Sequence, residues 1–181
     1  MRKINEIFYS LQGEGFHTGT PAVFVRFSGC NLKCSFCDTQ HEEGVLMSDE
    51  EILAEVGKYP AVTVILTGGE PSLWIDREFV DCLHWMGKYV CIETNGTHSL
   101  PDNIDWVTCS PKQGAKLCIS RMDEVKVVYE GQDIAVYESL PAGHFFLQPC
   151  SCSNTAETVA CVMQHPKWRL SLQTHKLIEI K

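Results

Sequence analysis

Seven β-rich runs punctuate the 181 residues, and the short gaps between several of them constrain the fold more than any other feature. They cover 21–27, 62–67, 88–93, 106–110, 124–129, 144–148 and 168–172. Most are too continuously apolar to alternate cleanly, the pattern of parallel strands covered on both faces. Helical signals fall between some of them. Ser48 and Glu51 form a capping box ahead of Ile52, Leu53 and Val56, with Gly57 as a stop; Phe79, Leu83 and Met86 share a helical face that ends at Gly87; a third helix is predicted from about Asn154 to Gln164. A parallel pair needs a crossover of about a dozen residues or more. Between Glu93 and Trp106 there is scarcely room for one, and the next gap is similarly cramped. A complete eight-stranded barrel takes about 250 residues, so the expectation is an α/β fold, a partial TIM-like barrel of about six parallel strands with some outer helices missing. Sites in such folds gather at the C-terminal strand ends.

One of those ends carries Gly29-Cys30-Asn31-Leu32-Lys33-Cys34-Ser35-Phe36-Cys37-Asp38-Thr39, with three thiols in eight residues and no fourth cysteine nearby. Clusters of the 4Fe-4S type usually take four cysteines, so a three-cysteine loop leaves one iron open to a ligand that is not protein. The rival is zinc, because His41 could close a Cys3His site with Cys30, Cys34 and Cys37. The loop alone leaves both open.

Thr67-Gly68-Gly69-Glu70-Pro71 follows the apolar run 62–66 and so lies at the C-terminal end of a buried strand. Gly-Gly before Pro is also an ordinary turn. Taken together, the loop and this strand end resemble the radical S-adenosylmethionine superfamily, in which the three cysteines hold the cluster and the Gly-Gly-Glu segment receives the methionine amine of the cofactor. The resemblance implies a 4Fe-4S cluster with one iron not bound by cysteine, and S-adenosylmethionine.

Composition is compatible with this. The chain is expected to form one domain, 1–181, with 44% hydrophobic residues and no visible linker or repeat. Its first residues lack the apolar core of a signal peptide, and no apolar run approaches the ~20 residues of a membrane span, so the expected location is the cytoplasm. Ten cysteines without a secretion signal read as reduced thiols. Cys82, Cys91 and Cys109 lie in apolar stretches as small hydrophobes; Cys150, Cys152 and Cys161 suggest an auxiliary cluster, against which stands the placing of Cys161 in a predicted helix. A net charge of -8 and scattered Lys and Arg argue against nucleic acid and favour a small-molecule substrate.

Three further segments narrow the resemblance: Ser10-Leu11-Gln12-Gly13-Glu14-Gly15, Cys37-Asp38-Thr39, and Trp168-Arg169-Leu170-Ser171-Leu172-Gln173-Thr174-His175-Lys176. In this order, across nearly the whole chain, they look like the 7-carboxy-7-deazaguanine synthase family. That resemblance implies a homodimeric lyase that contracts 6-carboxy-5,6,7,8-tetrahydropterin to 7-carboxy-7-deazaguanine with loss of ammonia, on the route to queuosine, fed by an electron donor such as flavodoxin. It implies that Phe36, Cys37 and Asp38 flank the adenosine, Gly69 and Glu70 the methionine amine, and Ser110, Pro111, Lys112 and Gln148 the ribose and carboxylate side. Leu11, Gln12 and Gly13 are then expected at the pterin ring, with Thr67, Gln173 and His175 completing the substrate set. Arg26 is the sharper expectation, since a guanidinium within a buried strand needs a partner and its fork suits the substrate carboxylate. Thr39 is expected to bind Mg2+; the alternative is a hydroxyl capping the turn. Two other functions compete: an activating enzyme that abstracts hydrogen from a partner's glycine, and a zinc-stabilised binding module.

Overall fold

Among the residues described by the computed structural model, 1–37 and 39–181, nine strands join one open sheet in the order β3-β1-β2-β4-β5-β6-β7-β8-β9. They are β1 Arg2–Leu11, β2 Pro21–Phe27, β3 Val45–Met47, β4 Thr63–Gly68, β5 Tyr89–Thr94, β6 Trp106–Cys109, β7 Glu124–Tyr129, β8 His144–Pro149 and β9 Arg169–Leu170. From β2 to β9 every neighbouring pair is parallel, whereas β1 runs antiparallel between β2 and β3. This is the expected unclosed α/β barrel. The helices are α1 Asp49–Val56, α2 Arg77–Trp85, α3 Thr155–Gln164 and the short α4 Thr174–Leu177. No helix of eight or more residues separates β5 from β6 or β6 from β7, as the cramped gaps require.

α1 and α2 start where the sequence supplies a side-chain cap. Ser48 and Glu51 close a reciprocal capping box on α1, and Asp76 accepts the Phe79 N–H at 2.9 Å at the start of α2. Both helices, with α3, bury one face against the sheet. Ile52, Val56, Phe79, Val80, Leu83 and Cys161 pack there on Val23, Val25, Leu66, Ile92, Val125 and Leu147. Truncating a side chain as enclosed as Phe79 to alanine would cost about 3 to 5 kcal/mol. Arg2 fastens β1 to this layer: its guanidinium binds Asp49 at 2.8 Å and Asp76 at 3.0 Å and lies 4.3 Å from the centre of the Phe79 ring.

The other face departs from the expectation of strands apolar on both sides. Ala22, Phe24, Ile65 and Cys91 form a small apolar floor, with Phe8 stacked on Phe24 at 4.9 Å. Toward the C-terminal ends the same face presents Arg26, Thr67, Glu93, Lys126 and Gln148, one from each of β2, β4, β5, β7 and β8. The alternation is real, and the same face also carries Thr63, Thr108, Glu124 and His144. The cover on this face is the segment 12–19, which crosses it: Gln12 reaches Glu93, Gly15 N–H donates to Ser171 Oγ at 2.9 Å, and Phe16 stacks on Trp106 at 4.8 Å.

Two strands escaped the sequence reading. β1 mixes Arg2, Lys3, Asn5 and Glu6 with its apolar residues, because one side meets helices and the other the polar interior; β3 has only three residues.

Candidate active site

The cysteine loop leaves β2 at Ser28 and is tied shut at its base, where Gly29 N–H donates to the His41 carbonyl at 2.7 Å. Within it Cys37 N–H meets the Cys34 carbonyl at 3.2 Å, and Leu32 N–H points to Cys30 Sγ at 3.4 Å. All three thiols are free. Among the described residues, no three or more His, Cys, Asp or Glu side chains converge on a single-ion site. Burial pushes the Cys30 thiol above its ordinary value, and the charges of Glu70, Cys34 and Cys37 add to the rise. Such a thiol gives up its proton to solvent readily only beside a cation that stabilises the thiolate, and metal coordination would supply one.

Gly68 and Gly69 let the end of β4 press against this loop. A Cβ at Gly69 would lie 2.0 Å from the Gly29 carbonyl oxygen, and one at Gly68, whose φ is +125°, 2.2 Å from that of Phe27. In that close approach Gly69 N–H donates to Phe27 O at 3.0 Å and Glu70 N–H to Gly29 O at 2.9 Å. The Glu70 carboxylate is fully buried and accepts from Ser72 N–H at 3.1 Å, Thr94 hydroxyl at 2.6 Å and Asn95 N–H at 2.7 Å. Three of its roughly four acceptor positions are therefore taken by protein. The Asn95 side-chain amide continues the chain to Asn31 Oδ1 at 3.1 Å and toward Cys30 Sγ at 3.9 Å.

Beyond β6, Ser110 N–H donates to the Thr94 carbonyl at 2.7 Å, and Lys112 Nζ reaches Ser110 Oγ at 2.7 Å and lies 5.5 Å from the centre of the Phe36 ring. Burial holds the Lys112 ammonium below the ordinary lysine value, and Cys34 opposes that shift. The structure thus gathers Cys30, Cys34, Phe36, Gly69, Glu70, Ser110 and Lys112 around one mouth. Pro111 is buried between them in sequence, and Gln148, at the end of β8, accepts from Ser171 Oγ at 2.9 Å. Thr39 accepts through its carbonyl from Cys37 Sγ at 3.5 Å. Asp38 lies outside the described residues.

The remaining residues line the inner face. Arg26 pairs through Nε with Glu6 Oε1 at 2.9 Å and stands in register with Thr67. Its two terminal amino groups have no partner among the described residues. Glu93 lies one step past the Leu66–Ile92 pair, beside Thr67. Lys126 Nζ bonds Glu14 Oε2 and Glu93 Oε2, both at 2.7 Å. Gln12 Nε2 completes Glu93 at 3.0 Å, and Gln173 Nε2 completes Glu14 at 2.9 Å. Gly13 and His175 touch so closely that a Cβ at Gly13 would lie 2.0 Å from His175 Nδ1. Leu11, next in sequence to Gln12, pairs with Pro21 at the N-terminal end of β2, and its side chain lines a surface cleft with Ile178 and Ile180.

The sequence reading passed over Glu14, Glu93, Asn95 and Lys126 as individual site residues. A signal was present for Lys126, an ammonium in the middle of the apolar run 124–129, where burial without a counter-charge is too costly to stand.

The model of the radical SAM superfamily matches residues 24–108. Over 181 residues, the whole of both chains, the sequence is 82% identical to a 7-carboxy-7-deazaguanine synthase of Bacteroides thetaiotaomicron. It is 42% identical to the 7-carboxy-7-deazaguanine synthase of Nitratidesulfovibrio vulgaris, with 98% of each chain covered. The crystal structure of QueE from Escherichia coli superposes with a TM-score of 0.79 at 32% identity, covering 94% of this chain and 93% of that one.

Proposed function

The chain belongs to the 7-carboxy-7-deazaguanine synthase family within the radical SAM superfamily, and on that premise we propose how its residues divide the work. It is a radical S-adenosylmethionine lyase of queuosine biosynthesis, converting 6-carboxy-5,6,7,8-tetrahydropterin to 7-carboxy-7-deazaguanine with loss of ammonia. The observation that carries this reading onto the site is the docking of the three-cysteine loop against Gly68-Gly69-Glu70 at the end of β4. When bound, the reduced 4Fe-4S cluster and S-adenosylmethionine supply one-electron, hydrogen-abstracting chemistry.

Cys30, Cys34 and Cys37 would hold three irons and leave the fourth for the cofactor. Gly69 and the backbone of Glu70 would receive its amine, with the Glu70 carboxylate fixing the 94–97 turn that supports Cys30. Phe36, Ser110, Pro111, Lys112 and Gln148 would bind the rest of it, Lys112 as the cation nearest a carboxylate. Asp38 belongs to this group by sequence.

For the substrate, Arg26 is anchored by Glu6 and offers its terminal amino groups as a bidentate fork to the pterin carboxylate. Two strands away, about 10 Å at the usual strand spacing, Glu93 offers acceptors to the N–H edge of the pyrimidine ring. That separation suits the long axis of a pterin lying across Thr67. Gln12, Gly13, Gln173 and His175 would hold it from the covering side; the position of Leu11 limits that residue to steering the backbone of 12–13. Thr39 would be the protein ligand of a Mg2+ shared with the substrate, an ion that often borrows ligands in this way.

The chemistry needs a reductant, for which a low-potential protein such as flavodoxin is proposed. A single domain over 1–181, a homodimer and a cytoplasmic location are proposed on the family resemblance, and no described helix is long and apolar enough to cross a membrane. Anaerobic reconstitution tests the cofactor assignment: about four irons per chain and reductive cleavage of S-adenosylmethionine support it, and a colourless zinc protein contradicts it.

A further inference from the structure

Lys126 is the most enclosed cation of the inner face, with 7% of its side chain exposed, while the carboxylates it joins keep 18% each. Every oxygen of those two carboxylates has a protein donor: Lys126 takes an oxygen of each, Gln12 the other oxygen of Glu93, and Gln173 the other oxygen of Glu14. A carboxylate oxygen can accept a second bond beside such a donor. The carboxylates are therefore aimed as well as charged, and their remaining exposure opens onto the same face as Arg26 and Thr67.

We infer that Lys126 is a positioning residue for pterin recognition, its ammonium spanning from β7 to Glu14 and Glu93 so that both carboxylates stay ionised and directed at the N–H edge of the substrate's pyrimidine ring. The inference rests on the substrate reading above. A pyrimidine edge that presents N–H groups needs acceptors, and a protonated carboxyl would set a donor against a donor. Two carboxylates in one poorly solvated space do not both stay ionised without a counter-charge. Lys126 provides it, leaving the trio with one net negative charge.

The neighbouring charges agree with that arrangement. Burial alone would drive Lys126 toward its neutral form, but Glu14, Glu93 and Glu124 override it and hold the ammonium above the ordinary lysine value. Burial likewise favours the neutral form of Glu14, and Lys126, with His175 on α4 adding to it, reverses this. Glu93 remains above the usual carboxylate value, burial and Glu14 outweighing Lys126. The other groups facing the trio are Lys112 from the β6 end and Arg26 from β2.

The test uses calorimetric binding of 6-carboxy-5,6,7,8-tetrahydropterin to the anaerobic holoenzyme with S-adenosylmethionine and no reductant, between pH 6 and 9. Lys126→Met should weaken binding about tenfold or more at pH 7 relative to wild type, and that ratio should shrink as rising pH ionises the carboxylate pair. Glu14→Gln added to Lys126→Met restores one net negative charge, so the ratio should lose its pH dependence while binding stays several-fold weaker for want of the anchor. A Lys126→Met ratio near one, or one that ignores pH and is the same in the double variant, overturns the inference. If Lys126→Met does not fold, the double variant carries the test alone: wild-type affinity at every pH overturns the inference, and weaker, pH-independent binding supports it. Failure of the wild type to bind the pterin would instead overturn the substrate reading.

Discussion

The Glu70 carboxylate and the backbone N–H of Asn95 meet at 2.7 Å, joining the end of β4 to the end of β5 directly beneath the cysteine loop. Thr94 and Ser72 donate to the same carboxylate, so it organises protein as much as it could hold a ligand.

Glu70→Gln should therefore destabilise the fold as well as weaken S-adenosylmethionine binding. Whichever oxygen the amide nitrogen replaces, it confronts a backbone N–H, of Ser72 or of Asn95. Leaving a buried donor unpaired costs about 1 to 3 kcal/mol. Thermal unfolding of the variant checks this; an unchanged melting temperature with weakened cofactor binding would assign Glu70 to the ligand alone.

Arg26→Lys is expected to raise KM for the pterin about tenfold or more while leaving S-adenosylmethionine cleavage much less affected, because one ammonium cannot hold Glu6 and a carboxylate together in bidentate fashion. Steady-state kinetics with parallel assay of 5'-deoxyadenosine separates the two effects. Equal losses in both would mark Arg26 as structural.

How much of this was legible in the sequence differs from residue to residue. The strand ends were readable because apolar runs stop at Gly29, Gly68 and Ser110, where turn residues take over. The inner-face network was not, because Glu14, Glu93 and Lys126 are 33 to 112 residues apart in pairs and only the curl of the sheet brings them together. Leu11 was expected, with Gln12 and Gly13, to present backbone groups to the pterin, and its side chain lies in a surface cleft with Ile178 and Ile180 while the next residue, Gln12, reaches Glu93. The motif fixes the family of the segment, not the direction of each side chain.

Glu124 gives a pH prediction. It is buried, accepts Phe16 N–H at 3.1 Å, and burial pushes its carboxyl up to about 7 from 4.5. Because the folded-state value is raised, its contribution to stability is full below about pH 4.5 and lost as pH rises through about 7, a change on the order of 3 kcal/mol. Glu124→Gln should consequently melt close to wild type at pH 5 and roughly 5 °C higher at pH 8. A melting-temperature difference that does not change with pH would place the ionisation elsewhere.

Chelator-treated, metal-free enzyme should lose most of its turnover and recover it with Mg2+, while Thr39→Ala should blunt that recovery without loss of the cluster absorbance. Mg2+ would fix the substrate carboxylate, so KM and kcat should both respond. Activity indifferent to Mg2+ would return Thr39 to capping the turn.

The most direct measurement is product formation by the purified, anaerobically reconstituted protein given S-adenosylmethionine, a chemical reductant and 6-carboxy-5,6,7,8-tetrahydropterin, with no other protein present. The account predicts 7-carboxy-7-deazaguanine and ammonia from the wild type, and neither product nor cofactor cleavage from Cys30→Ala, Cys34→Ala or Cys37→Ala. Cofactor cleavage without the deazaguanine, or full turnover by any of the three cysteine variants, would contradict it.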